Sequence, residues 1–312
     1  MLRMALCGWL AVLLACNGAD QRSYITGISL VAAPDSVQGA DVAAIRHTGA
    51  QWVSLMPYGF VDRQSGRLVY NSDRQWWGET DEGIRQAAAR CRAAGLRLML
   101  KPHIWLRHGS YTGHWLPPDS IQQVFEESFR EYVLHYAGLA QELEAEIFCL
   151  GTEWQTFVQA RPQYWRQLIK EVRAVYSGKL TYAANWDEYQ DCPLWKNLDF
   201  IGVNAYFPLS DKEKPTKEDL RQGWQRWKTD MATIATRIGK PVLFTEYGYR
   251  SRLANTSKPW EAEREGEVSL GNQQLAYRVM FEEVWTESWV AGGFVWKWFV
   301  GHKQRGGRQH NG

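Results

Sequence analysis

Two glutamates stand where a charge is costly. Glu153 closes the apolar run Glu146–Glu153, and Glu246 lies near the end of the run Pro241–Tyr249. A carboxylate at the end of an aliphatic and aromatic stretch needs a partner or a task. Two carboxyls facing one bond can divide the work of glycoside cleavage. One, protonated, releases the leaving oxygen; the other, ionised, attacks the anomeric carbon. The alternative is structural: either glutamate pairs with a lysine in another apolar run, such as Lys101 or Lys297.

The elements that would position them recur along the chain. Short apolar runs occupy Ile25–Val31, Gln51–Tyr58, Arg97–Ile104, Glu146–Glu153, Lys179–Trp186, Phe200–Phe207, Pro241–Tyr249 and Gly292–Phe299. Near-continuous apolar runs of this length suit parallel strands covered on both faces. Between them lie helical periodicities, as in Ile121, Val124, Phe125, Phe129, Val133, Tyr136 and Ala140, and again over Tyr164–Val175 and Trp224–Ile238. Alternating strands and helices make an α/β chain with a parallel sheet. Eight such units fit a (β/α)₈ TIM barrel. A doubly wound open sheet is the alternative, but no GxGxxG, Walker A or GxSxG turn is present. The 13 residues after Phe299 (300–312) are Gly-rich and basic, so no eighth helix is expected. Either the chain stops short or the barrel closes without it.

In such a barrel the site lies at the C-terminal ends of the strands. Strands four and seven are opposite each other, so Glu153 and Glu246 converge. His103 ends strand three, with a sugar hydroxyl or a catalytic carboxylate in reach. A metal site with His108 and His114 matches no ligand spacing. Asn185 ends strand five, either as a donor to a sugar or as a helix cap.

Aromatic residues make up 13% of the chain, with 17 Trp, 14 Tyr and 11 Phe. Such an excess means an aromatic core or an aromatic-lined surface. Trp76, Trp77, Trp105, Trp115, Trp154, Trp186, Trp260, Trp296 and Trp298 all fall at or after strand ends, as in a cleft for a sugar chain. For each of these, packing in the core is the alternative. Trp165, Trp224, Trp227, Trp285 and Trp289 lie on apolar helix faces.

Residues 1–15 read as an export signal, with a short cationic start and an apolar stretch from Ala5 to Ala15. Leu13-Leu14-Ala15-Cys16 resembles a lipoprotein cleavage box, which makes Cys16 the lipid-bearing residue; an ordinary cleaved signal is the alternative. Residues 16–24 form a polar tether and 25–312 the barrel. No other membrane attachment is expected, since no apolar run reaches the ~18 residues of a span. Cys91, Cys149 and Cys192 read as buried thiols. A formal net charge of +2 gives no reason to expect a nucleic-acid partner.

The segments Leu100-Lys101-Pro102-His103-Ile104-Trp105, Gly151-Thr152-Glu153-Trp154, Gly202-Val203-Asn204-Ala205-Tyr206-Phe207-Pro208-Leu209, Thr245-Glu246-Tyr247-Gly248 and Phe294-Val295-Trp296-Lys297-Trp298 occur in strand order. Together they resemble glycoside hydrolase family 113, within the retaining clan A, over about Ile25 to Phe299. The resemblance implies a β-mannanase on mannan-type polysaccharide or oligosaccharide, without cofactor or metal. It implies Glu153 as acid/base and Glu246 as nucleophile. Thr152 stands where most of the clan has Asn, and Asn204 faces the same side of strand six as Tyr206. Tyr206 becomes a donor to the nucleophile, or else a barrel tyrosine bonded to backbone. Trp296 becomes the floor under the cleaved sugar, with Trp105, Trp154, Trp186 and Trp298 as further contacts. Another β-1,4-glycan, exo cleavage of mannosides, and a non-catalytic sugar-binding lipoprotein are the competing functions.

Overall fold

The computed structural model describes residues 24–106, 111–261 and 266–301. The expected export signal, Cys16 and most of the tether lie outside them, as does His108. The strands are β1 (Ile25–Val31), β2 (Trp52–Leu55), β3 (Tyr58–Val61), β4 (Leu68–Tyr70), β5 (Arg97–Leu100), β6 (His103–Leu106), β7 (Ile147–Thr152), β8 (Lys179–Asn185), β9 (Ile201–Asn204), β10 (Val242–Tyr247) and β11 (Val290–Phe299). Eight of them close into a parallel barrel in the order β1-β11-β10-β9-β8-β7-β5-β2. Each of the eight apolar runs supplies one barrel strand. The fold is a (β/α)₈ barrel.

The helices are α1 (Gly39–His47), α2 (Asp81–Ala93), α3 (Asp119–Glu142), α4 (Gln155–Ala160), α5 (Pro162–Val175), α6 (Lys217–Ile238) and α7 (Leu270–Glu283). Among the described residues none follows β11, as expected. A second gap follows β8, where a single 3₁₀ turn at Trp195–Asn197 leads to β9. Two helices, α4 and α5, follow β7 instead. Local signals set the helix ends. Thr216 and Asp219 form a capping box at the start of α6, and Gly239 ends it at φ +71°, a backbone state glycine adopts without penalty.

The core has two parts. Ile25, Trp52, Met99, Ile147, Leu243 and Phe294 pack at the starts of the strands and plug the barrel floor. The larger part lies between barrel and helices, where α3 buries Phe125, Phe129, Tyr132 and Tyr136 and α5 buries Trp165, Leu168 and Val172. Burial of such aromatic area, at about 25 cal/mol per Å², is the main stabilising term.

One expectation needs correction. Arg97–Ile104 and Gln51–Tyr58 do not each run as one strand. Lys101 donates its N–H to Leu55 O at 2.9 Å as the last barrel rung. Pro102 and Pro57 have no N–H to continue the ladder, so both chains turn out of the barrel. They re-pair as β6 and β3, with β4 antiparallel to β3, in a three-stranded sheet beside the barrel mouth. The junction places Lys101 inside the barrel and His103 above it.

Closure of β11 against β1 depends on Gly292. Its φ is +115°, and a Cβ there would come within 2.2 Å of Ile25 O. Gly292→Ala should therefore lower Tm by roughly 6 °C or more through strain and overlap. A thermal melt matching that of the unaltered protein would contradict this closing geometry.

Candidate active site

The strands open at their C-terminal ends into a cavity of about 680 Å³, lined by both Glu153 and Glu246. That is the size of a small-ligand pocket. Glu246 lies in β10 with 5% of its surface exposed. The ammonium of Lys101, which has no exposed surface, donates to its Oε1. The Tyr206 hydroxyl donates to its Oε2 at 2.8 Å. Burial and the Glu246 charge hold the Tyr206 phenol well above its ordinary range, so it remains a donor. Two donors on one carboxylate favour its ionised form.

Glu153 lies in a different environment. It follows β7 at φ +56°, the left-handed region, where a non-glycine residue is held only by its surroundings. Asn204 donates from Nδ2 to its Oε1 at 2.8 Å, and Asn204 Oδ1 accepts from the Thr245 hydroxyl at 2.9 Å, which fixes the amide's direction. Burial first, and then the Glu246 charge, push the Glu153 carboxyl up to about 7; the Asn204 hydrogen bond and Lys101 pull the other way. The cavity thus holds one carboxyl poised to keep a proton and one that accepts from an ammonium and a phenol. That is the division of roles glycoside cleavage requires.

The turn carrying Glu153 is clamped from behind. Its N–H bonds Ala183 O at 2.8 Å. The next N–H, of Trp154, donates to the Tyr182 hydroxyl at 2.6 Å. That hydroxyl donates to Glu188 Oε1 at 2.7 Å, and Glu188 Oε2 accepts the Asn185 N–H at 2.9 Å. Glu188 is 2% exposed, and burial pushes its carboxyl up to about 7. Sequence reasoning missed Tyr182 and Glu188. The signal was Asn185 followed three residues later by a glutamate, a capping spacing.

The profile of Glycoside Hydrolase Family 113 covers residues 35–311. The chain belongs to glycoside hydrolase family 113. Among solved structures it is similar to a family 113 β-1,4-mannanase in a complex, with 23% identity, TM-score 0.79, and 92% of this chain and 93% of that chain covered. It is also similar to the family 113 β-mannanase of Alicyclobacillus acidocaldarius in complex with ManMIm, with 23% identity, TM-score 0.78, and 92% and 91% covered. No curated protein matches the chain.

Within this family 113 barrel the residues singled out from sequence separate into groups. Asn185, Trp186, Tyr206 and Trp296 line the cavity with the two glutamates. Asn204 and His103 stand behind it. The His103 ring stacks on Trp296 at 5.7 Å, and its Nε2 lies 3.8 Å from Glu246 Oε1, beyond hydrogen-bonding distance. Burial, Lys101 and Lys297 hold that imidazole well below its ordinary range, so it is neutral.

Four expected contacts are corrected. Trp154 is 1% exposed and packs against Phe125, Phe129 and Trp115, because the turned backbone at Glu153 sends the next side chain into the core. Trp105 lies on β6, outside the cavity wall and 55% exposed, because the break at Pro102 carries it away from the barrel. Thr152 is not on the wall; its Oγ1 is buried and has no partner among the described residues. Trp298 packs against the core. There β11 has four residues where β1 has three, Val295 to Trp298 against Ile28 to Leu30, so alternation no longer puts Trp296 and Trp298 on one face. Tyr111, His114, Asp187, Arg250, Trp260 and Lys297 are also on the wall. Tyr111 is hydrogen-bonded to the Asn185 side chain, and Trp260 stacks on Trp186 at 4.9 Å.

Two outcomes test this geometry. Tyr182→Phe leaves the Trp154 N–H and the buried Glu188 without their shared partner, at about 1–3 kcal/mol. Steady-state kinetics should show kcat down about tenfold with KM little changed, because the turn holding Glu153 loosens while the cavity wall is intact. A rise in KM alone would argue against the clamp. Asn204→Ala removes a bond that favours ionised Glu153, so the alkaline limb of the pH–rate profile should move upward from about 7. A limb that stays or moves down would show that Glu153 does not set it.

Proposed function

We propose that this glycoside hydrolase cleaves β-1,4-mannosidic bonds in mannan-type polysaccharide by double displacement with retention. The observation that carries the proposal is the unequal environment of two glutamates on one cavity: Glu246 on Lys101 and Tyr206, Glu153 buried and raised to about 7. Protonated Glu153 gives its proton to the glycosidic oxygen as the Glu246 carboxylate attacks the anomeric carbon. The carbon–oxygen bond breaks and a glycosyl ester forms on Glu246. Glu153, now ionised, takes a proton from water. That water attacks the same carbon and frees Glu246.

The mannosidic preference draws support from the family and from the β-mannanase names of its solved neighbours. Trp296 and the stacked Trp186–Trp260 pair offer flat apolar faces for pyranose rings along the cavity.

The experiment is product analysis on mannan, glucomannan, xylan and soluble cellulose, with early-time NMR of the new reducing end. Release of oligosaccharides from mannan as the β-anomer is the expected result. Release of monosaccharide only would point to exo cleavage, and xylan or cellulose as the best substrate to another β-1,4-glycan. Glu246→Ala should lower kcat roughly 10³-fold or more while oligosaccharide binding persists. Turnover close to that of the unaltered enzyme would remove Glu246 from its role.

A further inference from the structure

The carboxylate chemistry leaves one part of the cavity wall unused. Arg250, shortly after β10, and Lys297, within β11, both line it. The two strands are neighbours, which brings both cations to one side of the cleft. Burial lowers the Lys297 pKa; the Glu246 charge opposes it, and the Arg250 charge adds a smaller lowering. Arg250 itself is lowered by burial and by Arg252, with no carboxylate working the other way. Its Nε is buried and has no hydrogen-bond partner among the described residues.

Neither cation has a carboxylate partner among the described residues. Lys297 Nζ rests over the rings of Trp296, at 5.1 Å from the centroid, and Phe299, at 5.3 Å. Cation–π contacts offset only part of the cost of such burial. Glu246 is already engaged by Lys101 and Tyr206. Half-buried cations that serve structure are paired as a rule. Here two of them face open cavity together. A carboxylate seated between them would satisfy both, since a guanidinium fork donates two parallel hydrogen bonds to one.

We propose that Arg250 and Lys297 form a carboxylate site, and that the preferred substrate is a β-linked glycan bearing uronosyl units. The proposal rests on the glycoside hydrolase reading of the cavity and narrows its substrate class. The geometry also places the anion. Lys297 Nζ sits over Trp296, so the acidic unit is the sugar stacked on that indole or its immediate neighbour. If the two cations served only to keep Glu246 ionised, charge on the substrate would make no difference.

The test uses one backbone in two forms. Oligomers of β-1,4-linked mannuronate are compared with the same oligomers after carboxyl reduction, which turns each unit into mannose. Calorimetric titration uses Glu153→Gln, a neutral stand-in for the protonated acid that prevents turnover. The acidic oligomer should bind at least about tenfold tighter at low salt, and the preference should shrink as salt rises. Lys297→Met and Arg250→Gln should each remove most of that ratio. A mannan sulfate ester serves as a third ligand.

Equal binding of acidic and reduced oligomers overturns the proposal. So does a preference that survives both substitutions, or a stronger preference for the sulfate ester. The proposed activity is judged separately. Cleavage of neutral mannan without any acidic preference sinks only the carboxylate site. An acidic preference in binding, with no β-mannosidic cleavage of either form, sinks only the mannosidic reading.

Discussion

The site depends on an ammonium group with no exposed surface. Lys101 is fully buried at the barrel centre, and its partner is Glu246. Removing two such charges from water costs several kcal/mol each, and their attraction does no more than roughly cancel it. Apolar side chains of similar size would hold a barrel together at least as well. The pair is better explained by what its charges do to their neighbours. After burial, the Glu246 charge raises Glu153. The lysine, after burial, lowers His103, so a neutral imidazole lies against Trp296. Each half of the buried pair thereby adds to what burial does at one further group, Glu246 at Glu153 and Lys101 at His103.

Lys101 also shows how far the sequence could be read. The barrel strands were legible because near-continuous apolar runs suit parallel strands, and Glu153 and Glu246 stood out as charges ending such runs. Lys101 gives the same signal after Leu98-Met99-Leu100, where it reads as a structural alternative to a glutamate pair. The two readings do not compete in the structure: Glu246 is both ion-paired and opposite Glu153. The prolines after Leu55 and Leu100 were equally visible. Their consequence was not, because a lost N–H says where a ladder ends but not which strand the chain joins next. The three-stranded sheet is a tertiary outcome of that kind.

Aromatic placement was legible only in part. Sequence position assigns a tryptophan to a strand end but not the direction of its ring. Trp186, Trp260 and Trp296 reach the cavity, whereas Trp115 and Trp154 turn inward and join Phe125, Phe129 and Phe157. The deciding feature at Trp154 is the left-handed backbone of the residue before it, which no apolar pattern encodes. At Trp298 it is one extra residue in β11 opposite β1. The aromatic excess therefore serves both a core and a cleft, and local backbone irregularities decide which residue serves which.

Those irregularities connect the chemistry to stability. The strained turn at Glu153 is held through Trp154 N–H, Tyr182 and Glu188, and Glu188 is itself a buried carboxyl raised to about 7. The Glu153 charge adds to the rise that burial makes at Glu188. The ordinary value for both is 4.5, so between about 4.5 and about 7 the folded chain holds protons that an unfolded chain has released. Their contribution to stability is full below about 4.5 and is lost as pH rises through about 7. The same rise strips the proton that Glu153 must donate for the proposed cleavage. Loss of the acid and loss of that stability fall in one pH window, because both follow from carboxyls buried in the same wall of the barrel.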